Sequence, residues 1–224
     1  MEKSITVFVA SGRHYADYVS PLAHVAKVKI VDSPEDADIL WFAGGEDVNP
    51  AIYNAPVHPR THFSVARSYQ EDQLIKLFPE KFKVGTCRGH QQFHASSGGI
   101  LIQHTDRHAG GGHAVMDVRT GEVIGSVTSA HHQAVLRTAG VEMEVLLTTP
   151  EIRATTQQIG ADNGQGYTEV EIKEEIEAAW WPKINAFGIQ GHPEWMSPSE
   201  PVFQWFVNEL LTRFEQHQRK FSQK

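Results

Sequence analysis

The one cysteine of the chain, Cys87, sits in the stretch "KVGTCRGHQQF", with Gly85 and Gly89 two residues to either side. A free cysteine often does no more than fill a core, so its surroundings must decide whether it reacts. Gly-x-Cys-x-Gly is the spacing of a nucleophile elbow, a sharp strand-to-helix turn in which the nucleophile's backbone is strained and neighbouring side chains would collide. A thiol placed there stands at the N-terminus of the next helix, where the dipole and free N–H groups favour thiolate. Such a nucleophile needs a base, commonly histidine, and a third group to orient that base. Of the 13 histidines, His192 in "GIQGHPEW" is the best placed, because Glu194 follows two residues later. If the segment is extended, residues two apart share a side, so Glu194 reaches one ring nitrogen while the other faces the thiol. Acyl transfer also needs donors at the developing oxyanion. Gly44 and Gly45, at the end of the apolar run "WFA", offer open backbone amides, and the N–H of Arg88 is the other donor expected.

The histidines permit a rival chemistry. His90 and His94 are four apart on a predicted helix, and His104, His108 and His113 follow with gaps that metal ligands use. No carboxylate or second cysteine joins them at a recognised spacing, and "RHAGGGHA" reads equally well as a mobile loop. Neither a metal nor any other cofactor is therefore expected.

The elements that must position these residues alternate short β-branched runs with longer amphipathic ones, the pattern of a parallel sheet with helices on its faces. "ITVFVA", "VKIVD", "DILWFA" and "FKVGT" read as buried strands, the last running straight into Cys87. Tyr15 to Ala26 and Ser64 to Phe78 have near-helical spacing, with Ser64 as N-cap, and "RGHQQFHASSGG" reads as a helix closed by glycines. Between Gly44 and Phe63, Pro50, Pro56 and Pro59 preclude regular structure for most of a long loop, and such loops are often functional. From about 113 to 190 the strand-like stretches "HAVMDVRT", "EVIGSVTS", "EMEVLLTT" and "TEVEIKE" suggest additional antiparallel strands. A hairpin is expected around Pro182 and Lys183. Glu200 to Gln218 repeats apolar residues at Val202, Phe203, Phe206, Leu210 and Phe214, an amphipathic helix packed on the core.

Composition sets the bounds. A chain of 224 residues, 40% hydrophobic, can bury one sizeable core, so residues 1–224 are expected to form a single α/β domain. One cysteine excludes an intramolecular disulfide, and "MEKSITVFVASG" lacks the apolar stretch of a signal peptide, which together predict a cytoplasmic protein. No run approaches a membrane span, and a net charge of −7 with scattered lysine and arginine argues against nucleic acid as a partner.

In the order "AGGEDVNP", "GTCRGHQ", "SAHHQAV", "GIQGHPEW", the chain resembles the class I glutamine amidotransferase superfamily, and it is most similar there to the γ-glutamyl hydrolase branch. The motifs span residues 43–195. The resemblance implies a flavodoxin-like, doubly wound, mostly parallel sheet with helices on both faces, and a Cys87–His192–Glu194 triad. It further implies Gln91 beside the acyl pocket, and Ser129, His131 and His132 as contacts of the glutamyl moiety. The reaction implied is hydrolysis of the γ-carboxamide of glutamine or a γ-glutamyl amide through a thioester on Cys87. Two alternatives stand beside it: a glutaminase subunit delivering ammonia to a separate synthetase or ligase, and a catalytically silent binding module. Relatives often carry an aromatic residue where this chain has Gly191, and residues 150–168 have no counterpart, so substrate identity does not carry over.

Overall fold

The computed structural model describes residues 4–222; Met1, Glu2 and Lys3 of the segment read for a targeting signal lie outside the described residues. The strands are β1 (Ile5–Val9), β2 (Val28–Ile30), β3 (Ile39–Phe42), β4 (Phe82–Thr86), β5 (Leu101–Ile102), β6 (His104–Thr105), β7 (Ala109–Asp117), β8 (Glu122–Ala130), β9 (Ala134–Val135), β10 (Glu144–Thr148), β11 (Gln157–Gly160), β12 (Tyr167–Glu169), β13 (Ile176–Trp181) and β14 (Ala186–Ile189). The α-helices are α1 (Ser20–Ala23), α2 (Val65–Leu77), α3 (Arg88–Ser96) and α4 (Pro201–Ser222). Nine strands form one sheet in the order β2-β1-β3-β4-β14-β13-β10-β7-β8. The first part, β2-β1-β3-β4-β14, is parallel throughout, with the strand order of a flavodoxin-like sheet. From β14 onward every pairing is antiparallel. The expected α/β architecture with added antiparallel strands is the one observed.

Alternation along the central strands divides the core between the two sheet faces. Ile39 and Trp41 of β3 join Val84, Phe187 and Ile189 under α4, whose Val202, Phe203, Phe206, Leu210 and Phe214 are all buried as its spacing predicts. Leu40 and Phe42 point the other way, toward Ile75 of α2 and Phe93 of α3. Lys83, on β4 between these apolar residues, is buried and donates to the carbonyls of Phe78, Lys81 and Ile184 at 2.6, 2.9 and 2.8 Å.

Local differences from the sequence reading have identifiable causes. Tyr15 to Ala26 is not one helix but a 3₁₀ stretch, Arg13–Val19, followed by the single turn of α1, and Pro21 sits at the start of that turn. The "RHAGGGHA" stretch is not a loop: β7 begins at Ala109 and pairs with β8, with an irregularity between Ala109 and Gly112. Glycines mark such bulges in otherwise regular strands. "TEVEIKE" was expected as one strand, yet only Tyr167–Glu169 pairs, as the edge of a small three-stranded sheet β12-β11-β6. The unplaced 150–168 segment supplies β11 and most of β12 to that sheet.

Candidate active site

Cys87 lies between β4 and α3 with φ 52 and ψ −104, a left-handed conformation held by a non-glycine residue. Such a backbone costs about 1–3 kcal/mol and persists only where the surroundings over-determine it. Those surroundings are visible. The Cys87 N–H donates to the Ile189 carbonyl at 2.8 Å. A Cβ on Gly89 would run into the Phe42 carbonyl, and one on Gly85 would stand 2.6 Å from the Gly89 carbonyl carbon. The two flanking glycines therefore let strand, elbow and helix pack backbone to backbone. Cys87 is buried, at 5% exposure, and Arg88 opens α3, so its N–H has no acceptor within the helix.

Because β4 and β14 are parallel neighbours with Thr86 opposite Ile189, the strand ends deliver the elbow and "GHPEW" to the same place. His192 Nδ1 lies 2.7 Å from Glu194 Oε1, and both side chains are 4% exposed. The expected partnership is present, but the segment is not extended as the sequence reading supposed. Pro193–Trp195 is a 3₁₀ turn, and Pro193 at its first position fixes the φ that starts it. The turn also lays Trp195 flat on the His192 ring, with centroids 3.8 Å apart and planes 7° from parallel, although Trp195 itself is 58% exposed. Burial disfavours the charge on His192, but Cys87 and Glu194 outweigh it and raise its pKa to about 9. Tyr18, whose ring is 6.1 Å from His192, is pushed up to about 12, first by burial and then by Glu194 and Cys87. The arrangement favours an imidazolium at His192, between Cys87 and Glu194.

Gly44 closes the other side: a Cβ there would meet Tyr18 Oη at 2.7 Å and His192 Cε1 at 3.1 Å. Arg67 of α2 holds this loop. Its Nη2 donates to the carbonyls of Ala43 and Gly44 at 3.1 and 2.9 Å, its Nη1 pairs with Glu46 at 2.7 Å, and its Nε donates to Glu71 at 2.9 Å. With trans peptides, carbonyls turned toward Arg67 send the N–H groups of Gly44 and Gly45 the opposite way. Glu71 also binds the buried side chain of Arg88, so one carboxylate ties the glycine loop to the residue after Cys87.

The remaining predicted residues separate. Gln91 donates to the Gln133 carbonyl at 2.9 Å and to Gln190 Oε1 at 3.2 Å, while Gln190 donates to Cys87 Sγ at 3.7 Å. His132 is one-third exposed and lies 3.1 Å from Asp47 of the "GGEDVNP" loop. Ser129 and His131 are buried: Ser129 donates to the His108 carbonyl at 2.6 Å, and His131 Nδ1 lies 2.8 Å from the Gln133 carbonyl. At Gly191 a Cβ would collide with Val127 of β8 and the Thr128 carbonyl, so β8 leaves no room for a side chain there. Sequence reasoning missed Gln190, Arg67, Tyr18 and Trp195. Gln190 and Trp195 both stood within the quoted "GIQGHPEW", two residues before and three residues after His192.

The parallel sheet with its elbow cysteine has the fold of glutamine amidotransferases. Over its full length the chain superposes on a candidate GMP synthase component from Thermoplasma acidophilum with a TM-score of 0.62 at 13% identity, both chains being covered completely. A glutamine amidotransferase of Thermotoga maritima gives a TM-score of 0.53, also at 13% identity, over 97% of this chain and 92% of that one. The chain belongs to the Peptidase C26 family, whose pattern matches residues 23–194. A carbamoyl phosphate synthase small chain of Stutzerimonas stutzeri is 30% identical over 165 residues, which is 71% of this chain and 36% of that protein. The chain thus spans about a third of the length of this curated relative.

Proposed function

We propose that the protein is a cysteine-dependent amidase that cleaves the γ-carboxamide of glutamine or of a γ-glutamyl amide. The observation that carries this reading is the buried His192–Glu194 pair, 2.7 Å apart, beside a cysteine strained at a strand-to-helix elbow. Cys87 thiolate attacks the γ-carbonyl carbon, and the developing oxyanion is received by the N–H groups of Arg88 and of Gly44 or Gly45. Collapse breaks the C–N bond, and His192 gives its proton to the departing ammonia or amine. Water, deprotonated by His192, then attacks the γ-glutamyl thioester and releases glutamate and the thiol. Glu194 holds the imidazole in the orientation both steps need. Gln91 and Gln190 line the thiol side, and the partly exposed His132, with Asp47, is the polar group best placed to meet the charged end of a glutamyl substrate. The resemblance adds Ser129 and His131 to those contacts.

The likeness to a carbamoyl phosphate synthase small chain favours a second reading, in which the same chemistry supplies ammonia to a separate synthetase. The "GGEDVNP" segment favours the self-sufficient hydrolase. Purified chain incubated with glutamine and a panel of γ-glutamyl amides should release glutamate unaided, and hydroxylamine should trap a γ-glutamyl hydroxamate. Turnover of glutamine only after a synthetase is added would favour the second reading. No thioester with any γ-glutamyl compound would sink both.

A further inference from the structure

We propose that His108, His113, His131 and Glu177 form a buried site for a zinc-class divalent transition metal. The residues come from different parts of the antiparallel half: His108 precedes β7, His113 is on β7, His131 follows β8 and Glu177 is on β13. Their sequence separation explains why spacing alone could not find the site. The histidine run lacked a nearby carboxylate, and the fold brings one from Glu177. β10 stops at Thr148, opposite Met116, so His113 lies on β7 beyond the end of that pairing. Single ligand atoms of His108, His113 and Glu177 all stand within 4.8 Å of one another. The His108 ring centroid is 4.9 Å from those of both His113 and His131.

The decisive feature is the set of polar atoms left without hydrogen bonds. His108 Nδ1, His113 Nε2, His131 Nε2 and Glu177 Oε2 are all buried and without a hydrogen bond. Glu177 Oε1 pairs with His113 Nε2 at 3.0 Å and stands 3.8 Å from His108 Nδ1, beyond hydrogen-bond distance. A lone His113–Glu177 pair would leave His108 Nδ1 and His131 Nε2 unanswered in the interior. One cation answers all of them. Zinc takes such nitrogen and oxygen ligands at ~2.0–2.2 Å in a tetrahedron.

The outer atoms are arranged as ligand histidines require, with the second ring nitrogen held by a carboxylate or a backbone carbonyl. His108 Nε2 lies 3.3 Å from Glu175 Oε1, and His131 Nδ1 lies 2.8 Å from the Gln133 carbonyl. Glu175 is itself fixed by the N–H groups of Arg153 and Ala154 at 3.1 and 2.8 Å. The ligand atoms of His108, His113 and Glu177 converge, and His131, whose ring is 4.9 Å from that of His108, is the fourth ligand proposed; four protein ligands would make the metal structural rather than catalytic. Its function is to fix the "SAHHQAV" segment: Gln91 and His131 both bond the Gln133 carbonyl, so the metal steadies the wall beside Cys87. On this proposal His131 ligates the metal in place of the substrate contact that the resemblance implies.

Cys87 and His192 could themselves capture zinc, so the test uses the full chain carrying Cys87→Ala, made without a histidine tag and stripped with chelator. Titration with cobalt(II) should fill one site per chain, give the intense visible spectrum of four-coordinate cobalt, and raise Tm; zinc should displace the cobalt. Adding Glu177→Gln or His113→Gln should weaken zinc binding by more than the ~10–100-fold typical of losing an outer-shell partner, with circular dichroism confirming the fold. Equal affinity in those variants would overturn the proposal, since surface histidines would then be the ligands. Should the variants fail to fold, the Cys87→Ala chain still decides: a weak six-coordinate cobalt spectrum with no rise in Tm overturns the site.

Discussion

At the scale of single residues, the proposed chemistry divides unequally among three side chains. Cys87→Ala should abolish turnover while leaving the fold intact, because removing a thiol from the end of a strand leaves only a small void. His192→Ala should be almost as damaging, and Glu194→Gln should lose one to two orders of magnitude less, on the order of 10⁴-fold in kcat against ~10⁶. Glu194 also sets a pH limit. The His192 pKa is raised to about 9 by Cys87 and Glu194 against the opposing effect of burial, so the imidazolium survives through neutrality and is lost above that value. The alkaline limb of kcat/KM should therefore fall near pH 9 and move to lower pH in Glu194→Gln. A limb that does not move would remove Glu194 from the site. The elbow spacing and the His-x-Glu spacing are local, so sequence alone could propose Cys87, His192 and Glu194. Gln190 could not be proposed that way: its approach to Cys87 crosses 103 positions and depends on the pairing of β4 with β14.

Elements were legible where one physical cause dominated. α4 follows from apolar periodicity, and the β13–β14 hairpin from Pro182 followed by Asn185 in the left-handed region at φ 49. They were less legible where tertiary pairing overrode local signals, as in the glycines of β7 or the 3₁₀ turn that carries Glu194. The elbow itself gives a sharp test. Gly89→Ala puts a methyl into the Phe42 carbonyl, and backbone cannot yield as a flexible side chain would. Overpacking of this kind typically costs about 1–3 kcal/mol, and because β3 and α3 must part to relieve it, activity should fall further than Tm alone accounts for. The glycine loop gives another. Arg67 donates to the Ala43 and Gly44 carbonyls and touches none of the proposed reacting groups, so Arg67→Ala should lower kcat by releasing the proposed oxyanion donors while KM changes little. Steady-state kinetics showing the reverse split would mean that Arg67 serves binding. Sequence offered no sign of this clamp, since an arginine on a predicted helix is ordinarily a solvated charge.

At the scale of the whole molecule, the buried histidines of α3 and His192 respond to protons in opposite directions, and the balance fixes where the fold is most stable. In the interior, burial lowers His90 to about 3 and His94 to about 4. Between those values and the unfolded pKa of about 6.5, the unfolded chain binds protons that the folded chain refuses, so stability falls as pH drops below about 6.5. His192 behaves oppositely. Its folded pKa of about 9 lies above the unfolded one, so its contribution is complete below about 6.5 and is lost as pH rises through 9. Asp117 is held down to about 2, chiefly by its hydrogen bonds from Arg119 against the cost of burial, with Trp205 of α4 also donating. Its contribution is intact above about 4 and disappears only as pH falls toward 2. Tm measured across pH should thus peak near 6.5 and decline on both sides, more steeply on the acid side, where several buried histidines act together. Glu194→Gln should flatten the alkaline decline without moving the acid one, because His90 and His94 lie outside its reach. A Tm maximum at pH 8 or above would contradict this, and would mean that the imidazolium of His192 contributes nothing to holding the two strand ends together.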